Sequence, residues 1–499
     1  MSPPSLTNSL LKGTGWTVGI RWISKFLGII SLSICARYLV PEDYGLVNMA
    51  MVAISFSQVL VEFGLDASLI RNQNATDQHY HTAWSLKIIQ SVLIALLIFS
   101  LAIPAGIFTG DARVVSIMMC IGAAGLVGGF QNIYVINLRK QLDFKADFLY
   151  SITPRLISFI VTIVSVITLQ NYWGLVLGIA SGEISRLVMS YVMVKQRASW
   201  TLQRWRDMLG FSVWYFLEGV AHFAVHQLDR LYIGRLGGAT QVGIYGVARE
   251  VAGLPGTELV VPIGRALVPT LSALNNEPER QAKAIERALT GVVLLAAPIA
   301  VGFVLVASEF VLLLFGPKWE EAIPIVMIFS LGAATEGFRS IAQNVLVVLG
   351  RVKVNAILSW VYAIVVLGSI FPVYRWGGVE ALAWMYNFGN LLVAFILAAI
   401  LRIQRVIRGW ALLLGVFRAI LAVNIMYIIV LKLAPHFPDQ LFLSLLFKAL
   451  SGGLVYAAAI LVLWRISGSP DSVEKILLSI IRKAFAQICS LFKFGGKGV

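Results

Sequence analysis

Glu218, His222 and His226 recur at four-residue steps, and Asp229-Arg230 follow less than a turn later. On a helix these five titratable groups share one face. Two histidines four apart supply half of a metal site, but the chain holds no further cluster with ligand spacing, so no metal is expected. The face reads as a cavity-lining stripe that titrates, with an interhelical hydrogen-bond ladder as the alternative. Arg21 and Lys25 stand one turn apart on one face. Arg249, Glu250, Glu258 and Arg265 occupy another stretch, interrupted by Gly253-Leu254-Pro255-Gly256, which predicts a kink. Glu183 with Arg186, and Glu336 with Arg339, have the three-residue spacing of local ion pairs. Arg155 is open to either a structural or a binding role, and Arg37 and Arg235 read as anchors. Phosphate-loop, zinc-protease and nucleophile-elbow motifs are absent, which excludes ATP-driven transport on this chain and implies no cofactor.

The segments carrying these groups are otherwise apolar. The chain has 499 residues, 58% hydrophobic and 13% charged, against about 25% charged in soluble domains. Uncharged runs separate Lys87 from Asp111, Arg113 from Arg139, Arg287 from Glu309, Lys353 from Arg375 and Glu380 from Arg402. Each is long enough for the roughly 20 residues of a spanning helix, and none alternates as a barrel strand would. The expected fold is all-α and polytopic, with about fourteen transmembrane helices at 13–37, 44–69, 83–107, 114–138, 150–169, 173–194, 209–235, 243–271, 284–315, 322–349, 354–374, 380–401, 409–431 and 441–464. Every connection is short, which leaves no room for a catalytic domain. Ionisable groups at membrane depth are costly and face a cavity or a partner. Snorkelling to the inner surface is open to Arg21 and harder for Lys25.

A net charge of +15 could mark a nucleic-acid partner, so its placement decides. Alternate loops at 70–82, 138–149, 195–207, 273–288, 350–353 and 402–408 hold 16 Lys and Arg, and the opposite loops hold 5. That is the positive-inside pattern. It predicts cytoplasmic termini in an inner-membrane protein, and it removes nucleic acid as a partner. Cys35, Cys120 and Cys489 lack a pairing or metal pattern and read as packing residues. Arg21 and Lys25 interrupt the first apolar run, so a cleavable signal peptide is not expected.

The chain also repeats itself. Ala36-Arg37-Tyr38 through Tyr44-Gly45-Leu46-Val47 aligns without gaps on Gly234-Arg235-Leu236 through Val242-Gly243-Ile244-Tyr245, and Trp16 falls opposite Trp214. A weaker match sets Tyr172-Trp173-Gly174-Leu175 against Trp376-Gly377-Gly378-Val379. The expected organisation is a six-helix lobe at 1–207, a parallel six-helix repeat at 208–408, and two further helices at 409–466. An even helix number inserts both copies in one orientation, around an axis along the membrane normal. At 467–499 Ser469-Pro470 opens an amphipathic helix with a basic face. It suits the anionic membrane surface, with a packed cytoplasmic cap as the alternative.

Leu228-Asp229-Arg230-Leu231-Tyr232-Ile233-Gly234-Arg235, running into Gly243-Ile244-Tyr245-Gly246-Val247-Ala248-Arg249, resembles the Wzx-type bacterial oligosaccharide and polysaccharide flippases. So does Ala36-Arg37-Tyr38-Leu39-Val40-Pro41-Glu42-Asp43-Tyr44-Gly45 with Glu62-Phe63-Gly64-Leu65. These flippases belong to the multidrug/oligosaccharidyl-lipid/polysaccharide exporter superfamily. The resemblance covers nearly the whole chain and looks closest to the exopolysaccharide branch. It implies transport of undecaprenyl-diphosphate-linked oligosaccharide repeat units for exopolysaccharide or lipopolysaccharide biosynthesis, by alternating access through a cationic central cavity. It further implies membrane lipids as partners, with a polymerase and co-polymerase of the same pathway as candidates. Carried over by position, Arg21 and Lys25 on helix one, and Arg249 and Arg265 on helix eight, would contact the lipid diphosphate. Helix two departs from the pattern, with only Arg71 just past its end. Glu218, His222, His226, Asp229 and Glu250 are the candidates for a coupling or titrating role. A cation-coupled drug or metabolite antiporter of the same superfamily is the alternative reading, and a membrane glycosyltransferase would require an outer catalytic loop.

Overall fold

Long apolar runs become long helices. The computed structural model describes residues 6–61, 65–72, 74–141, 143–208, 213–274, 277–407, 409–468, 472–475 and 478–479. Within them, side chains in parts of 6–18, at 67 and 71, and in parts of 213–226 and 254–272 are outside the description. The order is α1 (Leu6–Tyr38), α2 (Pro41–Val61), α3 (Leu65–Arg71), α4 (Asp77–Thr109), α5 (Arg113–Gly128), α6 (Ile136–Lys140), α7 (Phe144–Leu169) and α8 (Trp173–Met193). The short α9 (Trp205–Met208) leads to α10 (Val213–Ala273), α11 (Pro278–Leu314), α12 (Ala322–Leu331), α13 (Ala333–Val348), α14 (Val352–Ile403), α15 (Trp410–Leu433) and α16 (Leu441–Ile466). Among the described residues there is no strand.

Helix ends follow local chemistry. Thr76 and His79 form a reciprocal cap at the start of α4, and the Asp143 side chain accepts the Ala146 N–H at the start of α7. Gly110 closes α4 in the left-handed region and returns its N–H to the Gly106 carbonyl. The Asn132 side chain takes the Tyr134 N–H and donates to the carbonyls of Val194 and Gln196. The expected helix 114–138 therefore bends by 72°. The expected helix 322–349 is likewise two helices, α12 and α13, meeting at 41°.

Among the described residues nine helices are long and apolar enough to cross a membrane, or eleven with each bent pair taken as one span. That count differs from the expected fourteen because it takes α14 as one span and does not include α10. Each nevertheless contains a break, at Gly238 in α10 (φ 75°) and at Gly377–Gly378 in α14 (φ 63° at Gly378). A straight 52-residue helix would run about 78 Å, over twice the roughly 30 Å of hydrocarbon. Positive φ at the break is open to glycine at little cost.

The described chain falls into two compact units. The first takes residues up to Val247 with Leu314–Trp319 and Leu367–Phe371, and the second takes the remainder. In the first, α7 lies close on α8, where Gly178 faces Thr162 and Gly174 faces Val166. The extended stretch 194–204 is strapped to the start of α4. Ser199 N–H donates to His81 Nδ1 (3.0 Å), Thr201 N–H to Ser85 Oγ (2.9 Å) and Arg204 N–H to Thr82 Oγ1 (3.3 Å). In the second, α16 is tied to α11 by Tyr456 donating to the Leu294 carbonyl (2.7 Å) and by Lys448 against Glu309 (2.5 Å). The described part of the tail packs inward: Glu474 is buried and lies 2.8 Å from Arg418 of α15. The rest of the expected basic face lies outside the described residues.

Candidate functional site

The two repeated motifs meet each other. A methyl group at Gly45 would stand 1.7 Å from the Ala239 carbonyl oxygen, and one at Gly243 would stand 1.8 Å from that of Pro41. Residues 41 and 45 correspond to 239 and 243 in the sequence repeat, so the contact is reciprocal. Gly246 also faces Asn48, its own repeat equivalent. All six positions lie in the first unit. Only glycine allows the backbones of α2 and α10 this close. Behind the seam Asp229 is fully buried and accepts the Tyr245 hydroxyl at 2.7 Å, which ties the two parts of the motif together by a buried hydrogen bond.

The cationic candidates are placed by different elements. Arg21 and Lys25 are half-buried on α1 in the first unit. Arg249, in the second unit, lies with its guanidinium 5.0 Å from the Tyr386 ring and 5.8 Å from that of Phe329. A cation over aromatic rings keeps its charge while shedding water. Glu250 beside it is exposed. The side chains of Arg265, Glu218, His222 and His226 lie outside the described residues. Arg21 and Lys25 are thus a pair in space as in sequence, and Glu250 stands beside Arg249. The two expected local ion pairs close: Arg186–Glu183 at 2.8 Å and Arg339–Glu336 at 2.5 Å.

The first unit also holds a half-open polar cavity of about 620 Å³ lined by residues of α2 to α8. Three ion pairs line it: Lys87–Asp66 (3.5 Å), Arg139–Asp147 (2.9 Å) and Arg186–Glu183. Arg155 lines it too, with no carboxylate partner among the described residues. The three pairs were legible only as isolated charges, except for Glu183–Arg186, because their partners sit on different turns or helices.

In the second unit an apolar groove of about 570 Å³ runs between α11, α15 and α16, past Pro298, Gly302, Gly452 and Gly453. Lys448 and Glu474 are its charged lining residues. Sequence spacing gave no sign of the Lys448–Glu309 and Arg418–Glu474 pairs, whose members are far apart in the chain. A lone charge inside an apolar helix was the available signal. At the other extreme of exposure, Arg113 binds both Asp111 and Glu42. Its hydrogen bonds hold the Asp111 carboxyl below the usual carboxylate range. No group of three or more metal-ligating side chains exists among the described residues.

Residues 34–324 match the family described as polysaccharide biosynthesis protein. The chain is 22% identical over 397 residues to the succinoglycan biosynthesis transport protein ExoT of Rhizobium meliloti, covering 77% of this chain and 78% of that one. It is 22% identical over 400 residues to the lipopolysaccharide biosynthesis protein WzxC of Escherichia coli, covering 79% and 80%. Among solved structures it resembles the lipid II flippase MurJ in an inward closed conformation. The TM-score is 0.72 at 14% identity, over 90% of this chain and 98% of that one.

Proposed function

The chain belongs to the polysaccharide biosynthesis protein family, a multi-pass membrane transporter of the exporter superfamily and not an enzyme, and from that premise we propose that it flips undecaprenyl-diphosphate-linked oligosaccharide repeat units to the outer leaflet of the inner membrane. The observation that carries this reading is the family match across 34–324, which spans both copies of the repeated motif.

A diphosphate and a hydroxyl-rich glycan cannot cross hydrocarbon unaided. In the proposed mechanism, lobes at 1–207 and 208–408 enclose a cationic cavity that opens alternately to each side, with helices at 409–466 added to them. Reading α10 and α14 as two passes each gives fourteen helices and cytoplasmic termini. Arg21, Lys25, Arg249 and Arg265 compensate the diphosphate. The two aromatic rings near Arg249 support this, because they lower the cost of holding its charge away from bulk water, and a guanidinium can bind two phosphate oxygens at once. The apolar groove beside α16 supports a place for the prenyl tail, since isoprene units gain nothing from a polar lining. Glu218, His222, His226, Asp229 and Glu250 are the proposed coupling groups.

The test is the fate of the lipid-linked oligosaccharide in a deletion strain. Complete repeat units should build up on the inner leaflet and clear on complementation. Incomplete units, or unpolymerised material on the outer leaflet, would assign the defect to synthesis or polymerisation, and unchanged polymer with altered drug sensitivity would favour an antiporter.

A further inference from the structure

The polar cavity of the first unit is not used by the diphosphate contacts, and its charges make an unusual sum. Every carboxylate that lines it already faces a cation: Asp66 has Lys87, Asp147 has Arg139 and Glu183 has Arg186. Arg155 remains, so the lining carries one uncompensated positive charge. Around it stand neutral hydrogen-bonding groups. Gln131 is engaged with the Tyr150 hydroxyl at 3.2 Å, while Gln58 and Gln90 also line the space. The volume of about 620 Å³ lies within the roughly 300–1,000 Å³ of small-molecule sites.

We propose that this cavity binds one acidic sugar of the glycan, a ring bearing a single carboxylate, with Arg155 as the partner of that carboxylate. The proposal rests on the reading that the cargo is a lipid-linked oligosaccharide. Carboxylates and side-chain amides suit ring hydroxyls, which both donate and accept. A guanidinium takes a carboxylate in a two-pronged contact. A diphosphate fits poorly, because the lining carries one uncompensated cation and a second phosphate charge would find none. An uncharged sugar would leave the exposed guanidinium of Arg155, eleven residues past the start of α7, without an ionic partner in the cavity.

The experiment titrates the full chain in lipid nanodiscs with methyl β-D-glucuronoside, methyl β-D-glucoside and inorganic pyrophosphate, followed by saturation-transfer NMR. Wild type should bind the glucuronoside about tenfold more tightly than the glucoside, the value of one charge-assisted contact. Arg155→Gln should reduce that preference to about twofold, and Arg155→Lys should retain most of it. Gln90→Ala should weaken both sugars alike, and gives a second readout if Arg155→Gln does not fold. Equal binding of the two sugars by wild type overturns the proposal. So does a preference that survives Arg155→Gln, or pyrophosphate displacing the glucuronoside from the cavity. Pyrophosphate binding unchanged by Lys25→Ala and Arg249→Ala would count against the diphosphate contacts while leaving the sugar site standing.

Discussion

At the scale of single residues, a charge in this protein is defined by what it faces. Asp229 is locked by Tyr245 behind the seam, Arg249 lies across aromatic rings, and Arg155 faces a cavity. Arg249→Ala and Lys25→Ala should each lower polymer export by tenfold or more at normal membrane levels. A charge-assisted contact is typically worth about 1.5–3 kcal/mol, and about 1.4 kcal/mol is tenfold. Arg249→Lys should keep part of the activity, since charge survives without the fork. Arg37→Ala, exposed at the end of α1, should be much milder. Export measured against protein abundance decides, and wild-type export from both alanine variants would make these charges structural. The sequence made the local pairs legible, because Glu183–Arg186 and Glu336–Arg339 are set by the pitch of one helix. It could not reveal Lys448–Glu309 or Arg418–Glu474, whose partners are brought together only by packing of separate helices.

At the scale of elements, hydropathy located the apolar helices and missed the bends inside two of them, 114–138 and 322–349. A sliding apolar run does not register that Asn132 diverts the chain into side-chain capping, so α5 and α6 looked like one helix. The breaks at Gly238 and at Gly377–Gly378, by contrast, fall between expected helices, at 235–243 and 374–380. The repeat was the more informative signal, and its glycines have a structural reason. Gly45→Ala or Gly243→Ala places a methyl group inside a carbonyl oxygen of the facing helix. Backbone cannot move aside as a side chain can, so each should cost more than the roughly 1–3 kcal/mol of ordinary overpacking. Thermal unfolding in detergent should show both variants shifted well below wild type. An alanine at Gly253, where nothing stands within 4 Å, should leave the midpoint close to wild type. Equal midpoints for all three would remove the close approach of α2 and α10.

For the whole molecule, charge placement predicts which way the chain lies. Single cysteines introduced in the 138–149 and 195–207 loops should resist an impermeant thiol reagent in intact cells, and one in 316–321 should react. Labelling of the opposite set would reverse the orientation. Within the stretch 194–204 strapped to α4, Gln196 suits such a probe, because it is exposed and its side chain makes none of the strapping bonds. The seam between α2 and α10 has one more consequence, and it concerns descent. Two identical half-length chains that paired through this motif would each lay a glycine beneath the other's carbonyl, as Gly45 and Gly243 do here. At the position on the dyad, however, identical partners must present the same side chain to each other. In this chain Asn48 meets Gly246. Joining the halves covalently lifts that obligation, so one copy can keep a bulky amide because its sibling gave up its side chain.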